Sequence, residues 1–238
     1  MNKEQRTGDS VIIRAEGLEK IYGYGRNALK VLKGISFEIM KGEIISIVGP
    51  SGAGKSTLLN LIGGLDSFQK GSLTVLGEHL AGFSVEALSD FRNRYIGFIF
   101  QLHNLLSEFT ALENIMMPLM IRRTKKSEAK AQAEVLLERF NLSDRAGHKP
   151  PELSGGECQR VAVARAIVTK PGILLADEPT GNLDRANSRM LTDLLLELGR
   201  EQKTTIIIVT HDKDIAARTE NTITLIDGNI QMAGGPSG

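Results

Sequence analysis

The stretch that most constrains the fold of this chain is GPSGAGKST, at residues 49–57. It follows the apolar run IISIV (44–48) and precedes the helical pattern TLLNLIGGL. Glycines at positions 49, 52 and 54 let the backbone wrap closely, so that successive N–H groups point towards one centre. A strand, a glycine-rich loop and a helix in this order are the setting of a P-loop. The stretch therefore predicts an α/β fold with an anion site at the start of a helix.

The side chains of this loop indicate that the anion is the phosphate chain of a nucleotide, bound with Mg²⁺. Lys55 is placed to bring a point charge to the β- and γ-phosphates, and Ser56 to give its hydroxyl to Mg²⁺. An ordinary glycine-rich turn is the alternative, but the full GxxxxGKS spacing favours nucleotide binding. The predicted ATP-binding residues of the loop are Gly49, Pro50, Ser51, Gly52, Ala53, Gly54, Lys55, Ser56 and Thr57.

A second ligand for Mg²⁺, in addition to Ser56, is expected at the end of ILLADE (173–178). Four apolar residues indicate a buried strand, and Asp177 lies at its carboxyl end, where ligands bind to parallel sheets. We predict that Asp177 holds Mg²⁺ directly or through water, and that Glu178 polarises an attacking water. Taken with the P-loop, this pair predicts a nucleotide site with a metal anchor and a carboxylate placed to activate water.

Short β-rich runs alternate with helical stretches, which is typical of an α/β core. The strand candidates are ISFEI (35–39), IISIV (44–48), GFIF (97–100), ILLAD (173–177) and TIIIV (205–209). The helix candidates are residues 55–64, 111–120, 127–140, 155–169, 185–200 and 212–219. We expect a core of residues 11–100 and 161–232, an inserted helical subdomain over residues 101–160, and flexible ends at residues 1–10 and 233–238.

Composition restricts the partners of the chain. A net charge of +1 over 238 residues gives no bulk electrostatic attraction to nucleic acid or anionic lipid. The polar start MNKEQRTGDS lacks the apolar core of a signal peptide, and no apolar run approaches the ~20 residues that span a bilayer. The single cysteine, Cys158, excludes an internal disulfide and a cysteine-built metal site. These features indicate the cytoplasm, with any membrane role exercised through a partner.

The segment LSGGECQR (153–160) predicts a second anion site. Ser154 and Glu157 have the spacing of a capping box, so a helix should begin at Ser154. Gly155 and Gly156 leave the amides of its first turn unshielded, and free amides at a helix N-terminus bind anions. Simple capping of the helix is the alternative reading. Cys158 is expected to face outward on the first helical turn.

These motifs together resemble the ATP-binding subunits of ABC transporters, over residues 11 to 232. The order of motifs is that of the family: P-loop, Gln101, LSGGE, ADEP and THD. The resemblance implies a P-loop core with a mainly parallel sheet, an antiparallel β part and a helical subdomain. It also implies a head-to-tail homodimer around two ATP, in which the signature segment of one copy contacts the ATP of the other. The signature residues are Leu153, Ser154, Gly155, Gly156 and Glu157.

The resemblance implies roles for further residues. Tyr22, with Tyr24 as a rival, is similar to the aromatic residue that stacks on adenine. Gln101 resembles the glutamine that touches Mg²⁺ and the water and senses the membrane partner. Asp184 ends GNLD and resembles the last residue of the loop by which each copy reaches the other copy's site. His211 resembles the histidine that contacts the γ-phosphate and supports Glu178.

Three stretches narrow the resemblance within the family. LLADEPTGNLD is typical of bacterial cassettes whose integral membrane partners have few spans and a large periplasmic domain. IGGLD (62–66) and FTALENIMMPLMI (109–121) are most similar to the ATPase of lipoprotein-releasing systems, the LolD type. This resemblance implies a peripheral position at the cytoplasmic face of the inner membrane. The macrolide-export (MacB) type and the cell-division signalling (FtsE) type remain alternatives, and soluble ABC proteins are disfavoured by the single set of motifs.

Overall fold

The computed structural model describes residues 11–231, so the ends expected to be flexible, residues 1–10 and 233–238, lie outside the described residues. The strands are β1 (Val11–Tyr22), β2 (Leu29–Met40), β3 (Ile44–Val48), β4 (Lys70–Val75), β5 (Glu78–His79), β6 (Ile96–Ile99), β7 (Ile173–Asp177), β8 (Thr205–Val209), β9 (Asn221–Ile226) and β10 (Asn229–Gln231). The helices are α1 (Lys55–Ile62), α2 (Val85–Tyr95), α3 (Ala111–Ile121), α4 (Lys126–Arg139), α5 (Gly155–Ile167), α6 (Arg185–Gln202) and α7 (Lys213–Ala216).

The chain divides into two compact units, and each is described by itself. The first contains the described residues 11–88 and 199–231, and the second contains residues 89–198. No helix within residues 11–231 combines the length and the apolar composition needed to cross a membrane. The boundaries expected for the helical subdomain, residues 101–160, stay a prediction.

The first unit contains an antiparallel sheet in the order β2-β1-β4-β5. Ile13 and Leu18 on β1 are fully buried, whereas charged residues alternate with them on the exposed face. The pairing of β1 with β2 is irregular between Ala15 and Leu18, and Gly17 has a φ of 57° at this point. Glycine adopts this left-handed conformation without strain, so it carries the bulge that re-aligns the strand.

The same unit contains parallel strands that position the P-loop. Strand β3 pairs in parallel with both β8 and β9, and β10 pairs antiparallel with β9. Nearly every residue of β3 and β8 is buried, as expected of strands covered on both faces. The one polar residue within β3, Ser46, is satisfied by a contact of 2.8 Å between its hydroxyl and that of Thr222.

The second unit is formed by two parallel strands and a group of helices. Strands β6 and β7 pair in parallel, with Ile96 opposite Ile173. Helices α3 and α4 pack on each other and on α5, which is buried along most of its length. Helix α5 lies directly on β6, because a Cβ at Gly97 would be 2.4 Å from the carbonyl oxygen of Ala166. Only glycine permits this approach.

The predicted α/β class is confirmed, and each predicted strand corresponds to one in the structure. The predicted helices are also present, although the last is shorter than expected, at Lys213–Ala216. Strands β1, β4, β5, β9 and β10 and helix α2 were not predicted. Strands β1 and β4 combine apolar residues with charged residues and a glycine, and β9 pairs with β3, which is distant in the chain.

Candidate nucleotide-binding and hydrolysis site

The predicted P-loop joins β3 to α1 in the first unit, and its glycines are required by geometry. A Cβ at Gly49 would lie 1.9 Å from the carbonyl oxygen of Leu225, and one at Gly54 would lie 3.0 Å from Leu32 Cδ2. Gly54 has a φ of 101° and is the N-cap of α1. Gly52 has no neighbour within 4 Å of a Cβ, so its backbone is open to a ligand. Residues 49–54 therefore form an open turn that leads into a helix N-terminus, which suits an anion.

The ammonium group of Lys55 is held within the loop. Lys55 is 8% exposed, and its Nζ donates to the carbonyl oxygens of Gly49 at 2.9 Å and Pro50 at 3.0 Å. These carbonyl oxygens compensate the charge of a group that is nearly removed from water. Of its neighbours, Ser56 is exposed and Thr57 is half-buried. The loop thus presents a cation and a hydroxyl beside the helix N-terminus.

Tyr22 and His211, which the sequence predicted to contact the nucleotide, also lie in the first unit. Tyr22 ends β1 and is 40% exposed, and its hydroxyl donates 2.6 Å to Asp66 Oδ2. Its rival Tyr24 is 96% exposed. His211 lies two residues after the end of β8 and is exposed, and Asp212 caps α7 by accepting from the amide of Asp214.

In the second unit, Gln101 and Glu178 lie close together. A Cβ at Gly181 would be 3.2 Å from Gln101 Nε2 and 3.5 Å from Glu178 Oε2, so both side chains reach the same point. Gln101 follows β6, while Asp177 is the last residue of β7. Glu178 has a φ of 45°, which is unusual for a residue with a side chain and costs roughly 1 to 3 kcal/mol. Such strain persists only where the surroundings hold it.

Two side chains hold the backbone around Glu178. Gln159 on α5 is 1% exposed, and its Nε2 donates 2.7 Å to the carbonyl oxygen of Pro179. Its Oε1 lies 2.5 Å from His103 Nδ1, in the segment that follows Gln101. Asn182 Nδ2 donates 3.0 Å to the carbonyl oxygen of Gln101 itself. The segment after β7 is therefore joined to the segment after β6 directly through Asn182 and indirectly through Gln159.

The signature segment Leu153–Glu157 forms the start of α5, and the predicted capping box is present. The Ser154 hydroxyl accepts from the amide of Glu157 at 3.3 Å, and Glu157 Oε2 accepts from the amide of Ser154 at 2.8 Å. Arg145 Nε donates 2.8 Å to Glu157 Oε1. Arg145, followed by the amide and hydroxyl of Ser154, lowers the pKa of Glu157 to about 2. A Cβ at Gly155 would meet nothing within 4 Å, which leaves this end of the helix accessible.

The expectation that Cys158 faces outward is wrong. Cys158 is 6% exposed, and its Sγ lies 3.5 Å from the carbonyl oxygen of Pro150. The 3-10 turn Pro150–Glu152 folds over the first turn of α5 and covers the position that a free helix would leave open. Burial, followed by the charge of Glu157, raises the pKa of the thiol.

Asp184 precedes α6. Its Oδ1 accepts from the amide of Asn187 at 2.9 Å, and its Oδ2 accepts from the side-chain amide of the same residue at 2.6 Å. These bonds lower the pKa of Asp184. A Cβ at Gly156 would lie 3.2 Å from Asn187 Oδ1, so the side chain that bonds Asp184 lies close to the first turn of the signature helix.

Sequence reasoning missed residues that hold the predicted site in shape. Asp66, Gln159 and Asn182 each bond to a predicted residue or to its neighbour in the chain. Lys20 and His103 bond in turn to Asp66 and to Gln159. Asp66 and Gln159 were within motifs that the sequence analysis quoted, IGGLD and LSGGECQR, but the motifs alone do not reveal their partners. Lys20 and His103 have no local signal.

Comparisons with known proteins show which family this chain resembles. The family model described as ABC transporter matches residues 32–181, a range that includes the P-loop, Gln101, the signature segment, Asp177 and Glu178. Tyr22, Asp184 and His211 lie outside it. Two relatives carry the name lipoprotein-releasing system ATP-binding protein LolD. The one from Alcanivorax borkumensis is 48% identical and covers 92% of this chain and 96% of its own, and the one from Porphyromonas gingivalis is 51% identical and covers 92% and 98%.

A solved structure is also similar along almost the whole chain. The ATP-binding cassette MJ0796, in a dimeric post-hydrolysis state bound to ADP and Pi, superposes with a TM-score of 0.88. It is 37% identical and covers 95% of this chain and 99% of its own. Because the family model matches more than half of the chain and the relatives match nearly all of it, the chain belongs to the ABC transporter family, as one of its nucleotide-binding ATPases.

Proposed function

We propose that this chain is the ATP-hydrolysing subunit of a lipoprotein-releasing transporter, peripheral to the cytoplasmic face of the inner membrane. The observation that carries the proposal is the similarity, along nearly the whole of both chains, to relatives that are named for this system. The segment FTALENIMMPLMI, which forms α3 and the two residues before it, supports the same subset.

In this proposal, ATP binds at the P-loop with its triphosphate at the N-terminus of α1. Lys55 exchanges the carbonyl oxygens of Gly49 and Pro50 for the β- and γ-phosphates, which keeps its buried charge compensated. The exposed face of Tyr22 accepts the adenine ring by stacking, which is favourable for any base. The open backbone at Gly52 supports close approach of a phosphate.

Mg²⁺ fits the donors that the proposal assigns to it, which are Ser56, Gln101 and Asp177. Hydroxyl, amide and carboxylate oxygens are the hard ligands that Mg²⁺ prefers, and it usually retains waters and phosphate oxygens. The described residues contain no group of three or more histidine, cysteine or acidic side chains that could form a metal cage. Bound Mg²⁺ would neutralise charge that develops on the β- and γ-phosphates.

Hydrolysis in this proposal is water attack on the γ-phosphorus, with cleavage of the bond to the bridging oxygen and release of ADP and phosphate. Glu178 accepts a hydrogen bond from the water and orients it. The neighbouring Gln101 Nε2 donates to the same water, and His211 contacts the γ-phosphate. Positioning and charge stabilisation account for the rate in this class of reaction.

A second copy of the chain completes each site. The signature helix brings the amides of Gly155 and Gly156 and the hydroxyl of Ser154 to the ATP held by the P-loop of its partner. Open space beside Gly155 supports this approach. Asp184 reaches the opposite site in the same head-to-tail arrangement. Two copies therefore enclose two ATP, and their closure is the motion that drives the membrane partner.

The membrane partner is proposed to dock on the segment that follows Gln101. Leu102, Leu106 and Phe109 are 71%, 44% and 38% exposed, which is a concentration of apolar side chains on a short segment. Ile115, Met116 and Leu119 on α3 are buried and belong to the core of the second unit. The proposed partners are integral subunits with few spans and a large periplasmic domain.

Purification of the closed complex tests this function. Glu178→Gln, given ATP, should hold the dimer closed, and the complex is then extracted from native membranes and identified by mass spectrometry. The proposal expects few-span membrane proteins with large periplasmic domains, and ATP-dependent release of lipoproteins when the unaltered complex is reconstituted. Recovery of a cell-division or drug-export partner, without lipoprotein release, would contradict it.

A further inference from the structure

The ammonium group of Lys20 is almost completely buried beside Tyr22. Lys20 is 4% exposed and lies on β1, two residues before Tyr22. Its Nζ donates 2.6 Å to Asp66 Oδ1 and 2.6 Å to the carbonyl oxygen of Ser67, and it lies 4.4 Å from the centroid of the Tyr22 ring. An ammonium group has three donors, and these three partners satisfy them.

Asp66 joins this ammonium to the hydroxyl of Tyr22. Its Oδ1 accepts from Lys20 and from the amide of Ser67, while its Oδ2 accepts from the Tyr22 hydroxyl. Burial alone would raise the pKa of Asp66, but the bonds from Lys20, Tyr22 and Ser67 outweigh it and lower that pKa. Burial and the bond to Asp66 raise the pKa of Tyr22, so its hydroxyl remains a donor at neutral pH.

The Tyr22 ring is consequently fixed in two ways. Its hydroxyl is bonded to Asp66 at one end, and one of its faces is covered by the Lys20 ammonium. The hydroxyl of Thr57, on the first turn of α1, also interacts with that of Tyr22. Tyr22 remains 40% exposed although Lys20 lies over one face of its ring, and the contact with Thr57 relates the ring to the P-loop helix.

We propose that Lys20 and Asp66 are positioning residues for the nucleotide base, because they hold Tyr22 in the orientation in which it stacks on adenine. The inference rests on the proposed function, in which Tyr22 contacts ATP. A ring that is already ordered loses less conformational entropy when the base binds, so the pair strengthens ATP binding without touching ATP. The pair also explains why a lysine is buried at this position.

The test compares a ligand that has a base with one that has none. The dissociation constants of ATP and of inorganic triphosphate are measured by calorimetry for the full chain, for Asp66→Asn, for Lys20→Met and for the double variant. Tyr22→Ala defines the full contribution of stacking, which is roughly 5- to 150-fold in the dissociation constant of ATP. Glu19→Gln is the matched control, since Glu19 is on the same strand and pairs with Lys30 at 2.7 Å and Lys70 at 3.7 Å, without contact to Tyr22.

We expect Asp66→Asn and Lys20→Met each to weaken ATP binding by about three- to tenfold, a part of the stacking contribution, with triphosphate binding unchanged. The double variant should lose no more than the larger single effect, because the two residues act through one contact. Tyr22→Phe keeps the ring and loses only the hydroxyl, so its affinity for ATP should lie between those of the unaltered chain and Tyr22→Ala.

Different failures have different meanings. Suppose that Tyr22→Ala weakens the binding of ATP more than that of triphosphate, but Asp66→Asn and Lys20→Met leave the ratio of the two affinities unchanged. That result overturns the positioning role alone. Equal weakening of both ligands in Asp66→Asn also overturns it, because the residue would then act on the P-loop and not on the base. An unchanged ratio in Tyr22→Ala removes the assignment of Tyr22, and with it the ground on which this inference stands. Melting temperatures of all variants identify any that fail to fold, and Tyr22→Phe then carries the test.

Discussion

Gln159 Nε2 donates a hydrogen bond of 2.7 Å to the carbonyl oxygen of Pro179, the residue that follows Glu178. Both groups are buried, and Gln159 also bonds to His103 through its other amide atom. The φ of 45° at Glu178 is a conformation that an L-residue adopts only when its neighbours hold it. The Gln159 bond therefore contributes to holding the proposed catalytic carboxylate in place.

The first prediction concerns this bond. Gln159→Leu leaves the Pro179 carbonyl without its buried partner, which costs about 1 to 3 kcal/mol and lets the segment relax. A relaxed segment no longer holds Glu178 in the orientation that positions the water. We therefore expect kcat for ATP hydrolysis to decrease roughly tenfold, while KM for ATP changes less than twofold. Steady-state ATPase kinetics measure both.

His103→Phe is the control for this prediction. It removes the bond to Gln159 Oε1 and leaves the bond from Gln159 to Pro179 intact, so its effect on kcat should be smaller. The double variant should resemble Gln159→Leu, because the two bonds are in series. A rise in KM with kcat maintained in Gln159→Leu would contradict the role assigned to it.

The local parts of this structure could be predicted from sequence because their causes are local. The P-loop is specified by glycines within a few residues of one another, and the capping box by Ser154 and Glu157, three residues apart. Strands β3, β7 and β8 are nearly uniform apolar runs, so burial on both faces could be inferred from composition alone.

The remaining parts depend on contacts between distant residues, for which one sequence contains no signal. Lys20 and Asp66 are 46 residues apart, and nothing near either residue indicates the pair. Cys158 is buried because the turn Pro150–Glu152 covers it, and the direction of that turn is a property of the folded chain. Strand β1 contains four charged residues among its apolar ones, and its bulge at Gly17 breaks the alternation on which strand prediction depends.

The second prediction is a pH dependence of stability from the signature segment. The pKa of Glu157 is lowered from 4.5 to about 2, first by Arg145 and then by Ser154. A lowered folded-state pKa contributes stability that is present above the unfolded pKa and is lost as pH falls through the folded value. The difference in unfolding free energy between the unaltered chain and Glu157→Gln should therefore shrink between pH 4.5 and about 2.

Denaturant unfolding at a series of pH values measures this difference. Arg145→Met removes the largest cause of the shift, so Glu157 should titrate at higher pH in that variant, as observed by carboxyl NMR. A Glu157 carboxyl that titrates near 4.5 in both proteins would show that neither Arg145 nor the capping box stabilises its charge.

The third prediction concerns the buried cysteine. Only the thiolate reacts with disulfide reagents, and the Cys158 thiol is both shielded from solvent and raised in pKa by burial. In the native protein at pH 7.5 it should react with an aromatic disulfide at least about a hundredfold more slowly than in denaturant. Rapid stoichiometric labelling of the native protein, followed by absorbance, would instead place the thiol at the surface.

The fourth prediction tests the site shared between two copies. Lys55→Ala disables the P-loop, and Gly155→Asp places a negative charge where the signature helix would approach the phosphates, so each variant alone should be inactive. In a head-to-tail heterodimer of the two, one site combines the intact P-loop with the intact signature segment. An equimolar mixture that exchanges subunits should therefore recover ATPase activity, up to about a quarter of that of the unaltered chain if the sites act independently.

The matched control pairs Lys55→Ala with Glu178→Gln. Lys55 and Glu178 of one chain serve the site that is built on that chain's own P-loop. In a heterodimer with one substitution on each copy, each of the two sites therefore has a defect. The activity of this mixture should stay at the level of the single variants. Because both mixtures contain Lys55→Ala, the comparison separates a shared site from mutual stabilisation of the dimer. Recovery in both mixtures, or in neither while the dimers form, would contradict the head-to-tail arrangement.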